Sequence, residues 1–583
     1  MINQDLVKIF LEMAELLEMQ DEPFRPRAYE RASEIASSHS ADFREIYEKG
    51  GAKALMEIPS IGRGIAEKIE EYIKTGRIRE YEALKKKYPV DIAGLTAVEG
   101  IGPKAIKTLW QKLKIQNVAD LEKAARAGKI AGIARFGKKS EDKIFKGIEF
   151  LKLSHGRFRL GDILPYVRAL ELELKSVKEV DELVVAGSIR RWKETVGDVD
   201  ILAVSRKPKA VMEYFVGMKD VANVYAHGET KSAVKMNNGL DVDIRVVPRE
   251  SFGAALNYFT GSKDHNVALR EIAIKKGWKL NEYGLYKSQK SKAEGQKWKM
   301  IAGRTEDELY EKLGIAYIEP EMRENAGEIE AARNNQLPNL IGYGDLRGDL
   351  QTHTDWTDGK HSIREMALAA KEAGLEYIAI TDHTKTLAMT GGSDEKKLLK
   401  QIAEIKKINQ EFEAEGIKFR ILTGAEVNIM PDGKLDITDE VLADLDVAGA
   451  AIHMNLKLSP AEQTKRIVRA MENPNIDIIF HLTDRIINRR EALPLDLETI
   501  FKTAKITGTI LEIDAYPERL DLKDEHIREA KKFGIKFAID SDAHAKDQFR
   551  FLEFGIAQAR RGWVEKGEVI NTRSAEGMLK MLK

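Results

Sequence analysis

Gly187-Ser188-Ile189-Arg190-Arg191-Trp192-Lys193-Glu194-Thr195-Val196-Gly197-Asp198-Val199-Asp200 is the stretch on which the reading of this 583-residue chain turns. Asp198 and Asp200 stand two apart at the start of a β-branched run, so both carboxylates leave one face of a strand and can share divalent cations. The Gly187-Ser188 turn ahead of them can offer N–H and hydroxyl groups to a triphosphate. Taken alone, Asp-X-Asp is as often a solvated strand edge. A third carboxylate is needed for a metal that activates an attacking hydroxyl. Leu240-Asp241-Val242-Asp243-Ile244-Arg245 supplies candidates, but Asp241 and Asp243 share a face and spacing does not choose between them.

Around this stretch, residues 182–186, 200–204 and 241–247 are short and β-branched, the signature of a sheet, and 265–276 return to helix. Residues 1–150 read as short helices with glycine-rich turns. The stretch 318–340, with Pro320, Pro338 and an acidic run, has the composition of a linker. Beyond it, apolar strands at 377–380, 420–422, 476–480, 508–513 and 535–539 alternate with helices. That alternation predicts a parallel β/α sheet or barrel whose site lies at the strand C-terminal ends. The length implies several domains.

The chain has no cysteine, so disulfides and thiolate metal sites are excluded and any metal falls to His, Asp and Glu. No apolar run approaches the roughly 20 residues of a membrane helix, so a cytoplasmic protein without a membrane partner is expected. The formal net charge is zero, but it is unevenly spread. Residues 1–317 carry 56 Lys+Arg against 47 Asp+Glu, a net of +9, whereas 341–583 carry 36 against 42, a net of −6. The first part is the one expected to lie on phosphates.

Within it, Pro59-Ser60-Ile61-Gly62-Arg63-Gly64 precedes a helical run from Ile65, and Val98-Glu99-Gly100-Ile101-Gly102-Pro103-Lys104 precedes another from Ala105. A Gly-X-Gly turn at a helix start exposes backbone N–H groups that attract phosphate. One such turn is most simply a connection; two copies with the same pattern resemble helix–hairpin–helix motifs, which grip the DNA backbone without reading sequence. Gly62, Gly64, Gly100, Gly102 and Lys104 are the expected contacts, and a degraded third copy lies at 133–140.

These features together resemble a family X DNA polymerase of the polymerase beta type over residues 1–317. The resemblance implies helical domains at 1–90 and 91–150, an α+β nucleotidyltransferase palm at 151–255 and a nucleotide-selecting thumb at 256–317. It makes Asp198 and Asp200 the paired ligands of two Mg²⁺ or Mn²⁺ ions, Asp243 the third carboxylate and Arg245 its partner. Gly187, Ser188, Arg191 and Gly197 become triphosphate contacts. Tyr258-Phe259-Thr260-Gly261-Ser262 matches the loop that excludes a 2′-hydroxyl, and Asn266 and Arg270 fall where the family reaches minor-groove edges. Lys263 stands where polymerase beta has an acid, so a cation is added beside the nucleotide's phosphates. Lys68 matches the Schiff-base lysine of the family's lyase, but Phe24, Gly64 and Glu80 replace basic groups around it.

In the second half, His353, Asp358, His383, Glu426, His453, His481, Asp542 and His544 follow apolar strand-like runs, or in the case of Asp358 a Thr-Asp-Gly loop. One histidine after a strand is usually structural; five converging with acids point to a multinuclear metal site. Residues 341–583 resemble the PHP (polymerase and histidinol phosphatase) domain, and the order polymerase-then-PHP is similar to that of bacterial and archaeal DNA polymerase X. The resemblance implies a β/α barrel holding up to three Mn²⁺ or Zn²⁺ ions. Eight of its nine ligand positions match, and the ninth, usually His, is Gln351, a weaker donor. Arg485 is expected on substrate phosphate.

The expected function is filling of short gaps in base-excision-type repair, on gapped or primer–template DNA with dNTPs, by a monomer. A Mn²⁺-dependent 3′–5′ exonuclease is expected in the PHP domain, with AP lyase or AP endonuclease as a further activity. The competing readings make the PHP domain a small-molecule phosphatase or a structural module. The basic first part argues against the former, and the eight matching ligands argue against the latter.

Overall fold

Apolar residues at helical spacing dictate the first unit. Leu6, Phe10, Met13 and Leu17 line one face of the helix Ile2–Glu18 and are buried. They join Ala66 and Ile69 of Arg63–Thr75 and Ile106 and Leu109 of Pro103–Leu113 in one apolar cluster reaching Ile148. The segments expected as separate domains at 1–90 and 91–150 thus share a core. The computed structural model describes all residues except 1, 39–41, 59–60, 97, 99–100, 135, 155–156, 292–294 and 388–389. Its two units are residues 1–155 with 488–490, and 156–487 with 491–583.

The second unit begins with a five-stranded sheet in the order Glu182–Val185, Asp198–Val204, Asp241–Val247, Lys231–Met236, Val221–His227. The second and third of these run parallel, which sets Asp198 beside Asp241 and Asp200 beside Asp243. In Asp241–Val247 burial alternates, so the acids and Arg245 share the wetter face. The strand Phe158–Arg159 pairs with Thr195–Val196 and ties down the loop before Asp198.

Helices Phe252–Thr260, Lys263–Lys275 and Glu306–Leu313 and a three-stranded antiparallel sheet form the thumb. The expected helix at 265–276 begins at Lys263, capped by the Ser262 side chain. The stretch 318–340 is not the exposed linker its composition suggests. Ile318, Met322 and Ala332 enter the thumb core, and Arg323 is fully buried against Glu306. Two of its acids find partners distant in sequence: Glu328 is hydrogen-bonded to His265 at 2.7 Å and Glu321 pairs with Arg560 at 2.7 Å.

The C-terminal part is a barrel of seven parallel strands in sequence order, nearly closed where His353 N–H donates to the Ala543 carbonyl at 2.8 Å. Tyr377–Ile380 and Val447–Ala451 are buried on both faces, as their apolar runs require, and Gly348–Thr352 is buried throughout although it carries Asp349 and Gln351. Ile487, Leu520 and Phe554 of the barrel side pack in the apolar cluster of the palm. Trp192 lies edge-on to Phe554, 5.5 Å between ring centres, and Gly161 approaches Pro517 so closely that a Cβ would sit 2.2 Å from the Pro517 Cβ.

Candidate active sites

A cleft of about 390 Å³ opens between palm and thumb. It is lined by Gly187, Ser188, Arg191, Gly197, Asp198, Asp200, Tyr258, Phe259, Gly261, Lys263, Asn266 and Arg270, all singled out from the sequence. Arg157 and Lys193 line it too and were missed, although Lys193 lies inside the signature itself. With Arg191, Lys193, Lys263, Arg157 and Arg270 against Asp198 and Asp200, the cleft suits a polyanion held through cations.

Gly187 adopts φ +63, and a Cβ there would lie 2.5 Å from an Asp200 carboxylate oxygen, so the turn packs directly on that carboxylate. Burial first, then the nearby Asp198 and Asp243 carboxylates, push Asp200 up to about 6. Three mutually repelling acids fit a divalent cation, which would relieve that repulsion. Asp243, beside Asp200 in the strand register, is among the charges that act on it, and Asp243 and Asp241 each pair with a lysine on the next strand, Lys231 and Lys235 respectively. Arg245 lies over the Phe259 ring at 4.9 Å. Asn266 donates to the Tyr258 carbonyl at 2.7 Å, which fixes the loop, and Arg270 donates to the Asn266 carbonyl. Arg190 turns away from the cleft to Glu306 at 2.7 Å and anchors the turn to the thumb.

In the first unit, Gly62 and Gly102 begin their helices with extended backbone and no side-chain cap. The hydrogen bonds repeat between the copies: Ile61 N–H to Ile58 O, and Ile101 N–H to Val98 O. Nothing crowds Gly62, Gly64 or Gly102, and Lys104 is exposed, so both turns present open backbone. Gly100 and Arg135 lie outside the described residues. Lys68 is held by Glu80 at 3.2 Å, and Arg25 also pairs with Glu80. Phe24 is exposed.

At the C-terminal mouth of the barrel, ligand atoms of His353, Asp358, His383 and His544 fall within 4.8 Å of one another, as do those of His383, Glu426 and His453. Glu426 is the hub. Its oxygens lie 2.8 Å from His383 Nδ1, 2.8 Å from His481 Nε2 and 3.1 Å from His453 Nε2, and Gln351 donates to it at 3.2 Å. Asp542 joins through His353 Nε2 at 3.1 Å. Among the described residues, buried atoms without a hydrogen-bond partner include Gln351 Oε1, His353 Nδ1 and His481 Nδ1. Unsatisfied ligand atoms beside two such clusters of close-set His, Asp and Glu fit divalent metal. Burial disfavours charge on His383, yet Glu426 and Asp358 raise it well above its usual range, and Asp358 and Asp542 lift His544 to about 9 against the same burial. Metal binding there would release these protons. Behind the cluster, Asn428 Oδ1 holds His453 Nδ1 at 2.8 Å and orients the ring.

Arg485, expected on substrate phosphate, instead donates to Glu194 of the palm at 2.8 Å and to the Leu520 carbonyl. Arg519, which carries no sequence signal, lies 3.9 Å from Asp542 and 2.8 Å from Asp484 at this mouth.

Three family models match the chain: a helix-hairpin-helix domain at 1–78, the DNA polymerase beta thumb at 255–324 and the PHP domain at 349–539. The thumb match runs past 317 into the packed stretch described above. The chain is 30% identical to a probable phosphatase of Thermoanaerobacter sp. (strain X514) over 38% of its length and 90% of the relative. A probable phosphatase of Caldanaerobacter subterraneus is 31% identical over 35% of this chain and 80% of its own. A DNA polymerase/3′-5′ exonuclease PolX of Bacillus subtilis (strain 168) is 35% identical over the full length of both chains. Carrying its helix-hairpin-helix, polymerase beta thumb and PHP parts in the same single chain, the protein belongs to the PolX family of DNA polymerase/3′-5′ exonucleases.

Proposed function

We propose that this protein fills short gaps in DNA from dNTPs at the palm–thumb cleft and trims 3′ ends at the barrel mouth. The observation that carries the first activity is the packing of the Gly187-Ser188 turn on Asp200, with Asp198 lining the same cation-rich cleft. Asp198, Asp200 and Asp243 would hold Mg²⁺ or Mn²⁺, and the barrel residues Gln351, His353, Asp358, His383, Glu426, His453, His481, Asp542 and His544 would hold up to three Mn²⁺ or Zn²⁺. Bound in these sites, such ions supply Lewis-acid stabilisation of a 3′-hydroxyl or a water nucleophile and of the leaving oxygen. The chain's own residues do the positioning. Ser188, Arg191 and Lys263 take the triphosphate, Tyr258 and Phe259 face the sugar, and Asn266 and Arg270 face the bases. Gly62, Gly64, Gly100, Gly102 and Lys104 in the hairpins, with Arg245 beside the primer, bear on the DNA backbone. Lys68, tied to Glu80, is a lyase nucleophile only if abasic substrate displaces that pair.

The phosphatase relatives make small phosphate esters an alternative substrate for the barrel, but the hairpins in the same chain favour DNA. Incubation with a labelled one-nucleotide-gapped duplex, dNTPs and Mn²⁺ tests both centres on one gel. Asp198→Ala is expected to lose extension and keep trimming, and His481→Ala the reverse. Loss of both activities in either variant would defeat the two-centre reading.

A further inference from the structure

The loop that would bind the triphosphate is gripped from the PHP side. Arg561, at the end of the helix Leu552–Arg561, is almost fully buried and points into the palm. Its guanidinium donates to the Arg191 carbonyl at 2.7 Å, to Glu324 at 3.1 Å and to Asp524 at 2.5 Å. The same Glu324 oxygen is also 3.2 Å from Arg191 Nε and 3.8 Å from Lys193 Nζ, both side chains of the nucleotide cleft. One carboxylate is therefore shared by two cleft cations and one barrel cation. Glu324 stays below the usual carboxylate range despite burial, with Arg561 the strongest of its cationic neighbours.

A triphosphate entering the cleft must draw Arg191 and Lys193 away from Glu324. That exchange leaves a partly buried carboxylate, its side chain 24% exposed, which is costly unless another cation stays with it. We propose that Arg561 is a positioning residue for nucleotide binding: it keeps Glu324 neutralised, so that the two cleft cations are free to turn to the triphosphate. The inference rests on the polymerase reading of the cleft. It makes the PHP side a working part of the polymerase site, with no contact to the nucleotide.

The test is steady-state gap filling by the full chain with varied dNTP, in the parent, Arg561→Gln, Glu324→Gln and the double variant. Arg561→Gln is expected to raise KM for dNTP by about tenfold or more with little change in kcat, in the range of coupling between adjoining sites. Trimming on the same DNA is expected to stay at the parental rate. Adding Glu324→Gln removes the competing carboxylate, so the double variant is expected to regain most of the parental KM. Parental KM in Arg561→Gln would overturn the proposal. So would a raised KM that Glu324→Gln does not relieve, since a merely loosened interface gives that result. If Arg561→Gln fails to fold, Glu324→Gln alone decides: KM equal to or below the parent's supports the proposal, and a raised KM overturns it. Failure of the polymerase reading shows differently, as no incorporation by the parent.

Discussion

Replacing Gly187 with Ala perturbs the polymerase centre through one added methyl. The Cβ would meet an Asp200 oxygen at 2.5 Å, against about 3.4 Å for ordinary contact, so the carboxylate must retreat by about 0.9 Å. The positive φ of +63 adds about 1–2 kcal/mol of backbone strain for a residue with a Cβ. That is less than the roughly 5–15 kcal/mol by which a domain is stable, so the fold is expected to survive. Catalysis is not: a displacement of about 1 Å in a reacting constellation costs on the order of 100-fold. The assay is single-nucleotide gap filling with Mg²⁺, with 3′ trimming as an internal control for folding. Incorporation down about 100-fold with unchanged trimming is the expected result. Incorporation within about threefold of the parent, which is less than 1 kcal/mol, would refute the idea that this contact sets the carboxylate's position.

Glu426→Gln is expected to abolish trimming and lower the metal content of the purified protein, because the hub charge that gathers His383, His453 and His481 is gone; parental metal content would count against it. Gln351→His supplies a stronger donor than an amide oxygen, so the Mn²⁺ concentration for half-maximal trimming is expected to fall. A titration that overlays the parent's would show that this position does not tune the site. Arg323→Met leaves Glu306 buried with Arg190 as its remaining cationic partner and is expected to destabilise the second unit by about 3 kcal/mol. Calorimetric unfolding checks it, and an unchanged transition would mean that the pair is energetically idle.

The palm and the barrel were legible because their signals are local. Two carboxylates on a strand, a Gly-Ser turn and histidines ending apolar runs each declare their geometry within a few residues. The placing of Asp241 and Asp243 against the first pair was not local, since it depends on the register of the strand pair Asp198–Val204 and Asp241–Val247. The stretch 318–340 misled for the same reason. Composition counts its acids but not the partners, up to 239 residues away, that bind them. Arg485 was expected on substrate, whereas its partner Glu194 belongs to the other half of the chain. Arg157 and Arg519 reach their sites from loops without periodicity, where no pattern exists to read.

The apolar cluster that runs from the palm into the barrel bears on how the chain can be dissected. Severing it near residue 340 to isolate the polymerase would strip Trp192 of Tyr343 and Phe554 and remove Ile487, Leu520 and Phe554 from the palm core. The fragment would present a fresh apolar face to water, the kind of patch that drives self-association. A truncated polymerase that precipitates or works poorly would then report on its cut surface, not on any division of labour between the halves. Assigning an activity to one half calls for single substitutions at its own centre in an otherwise intact chain.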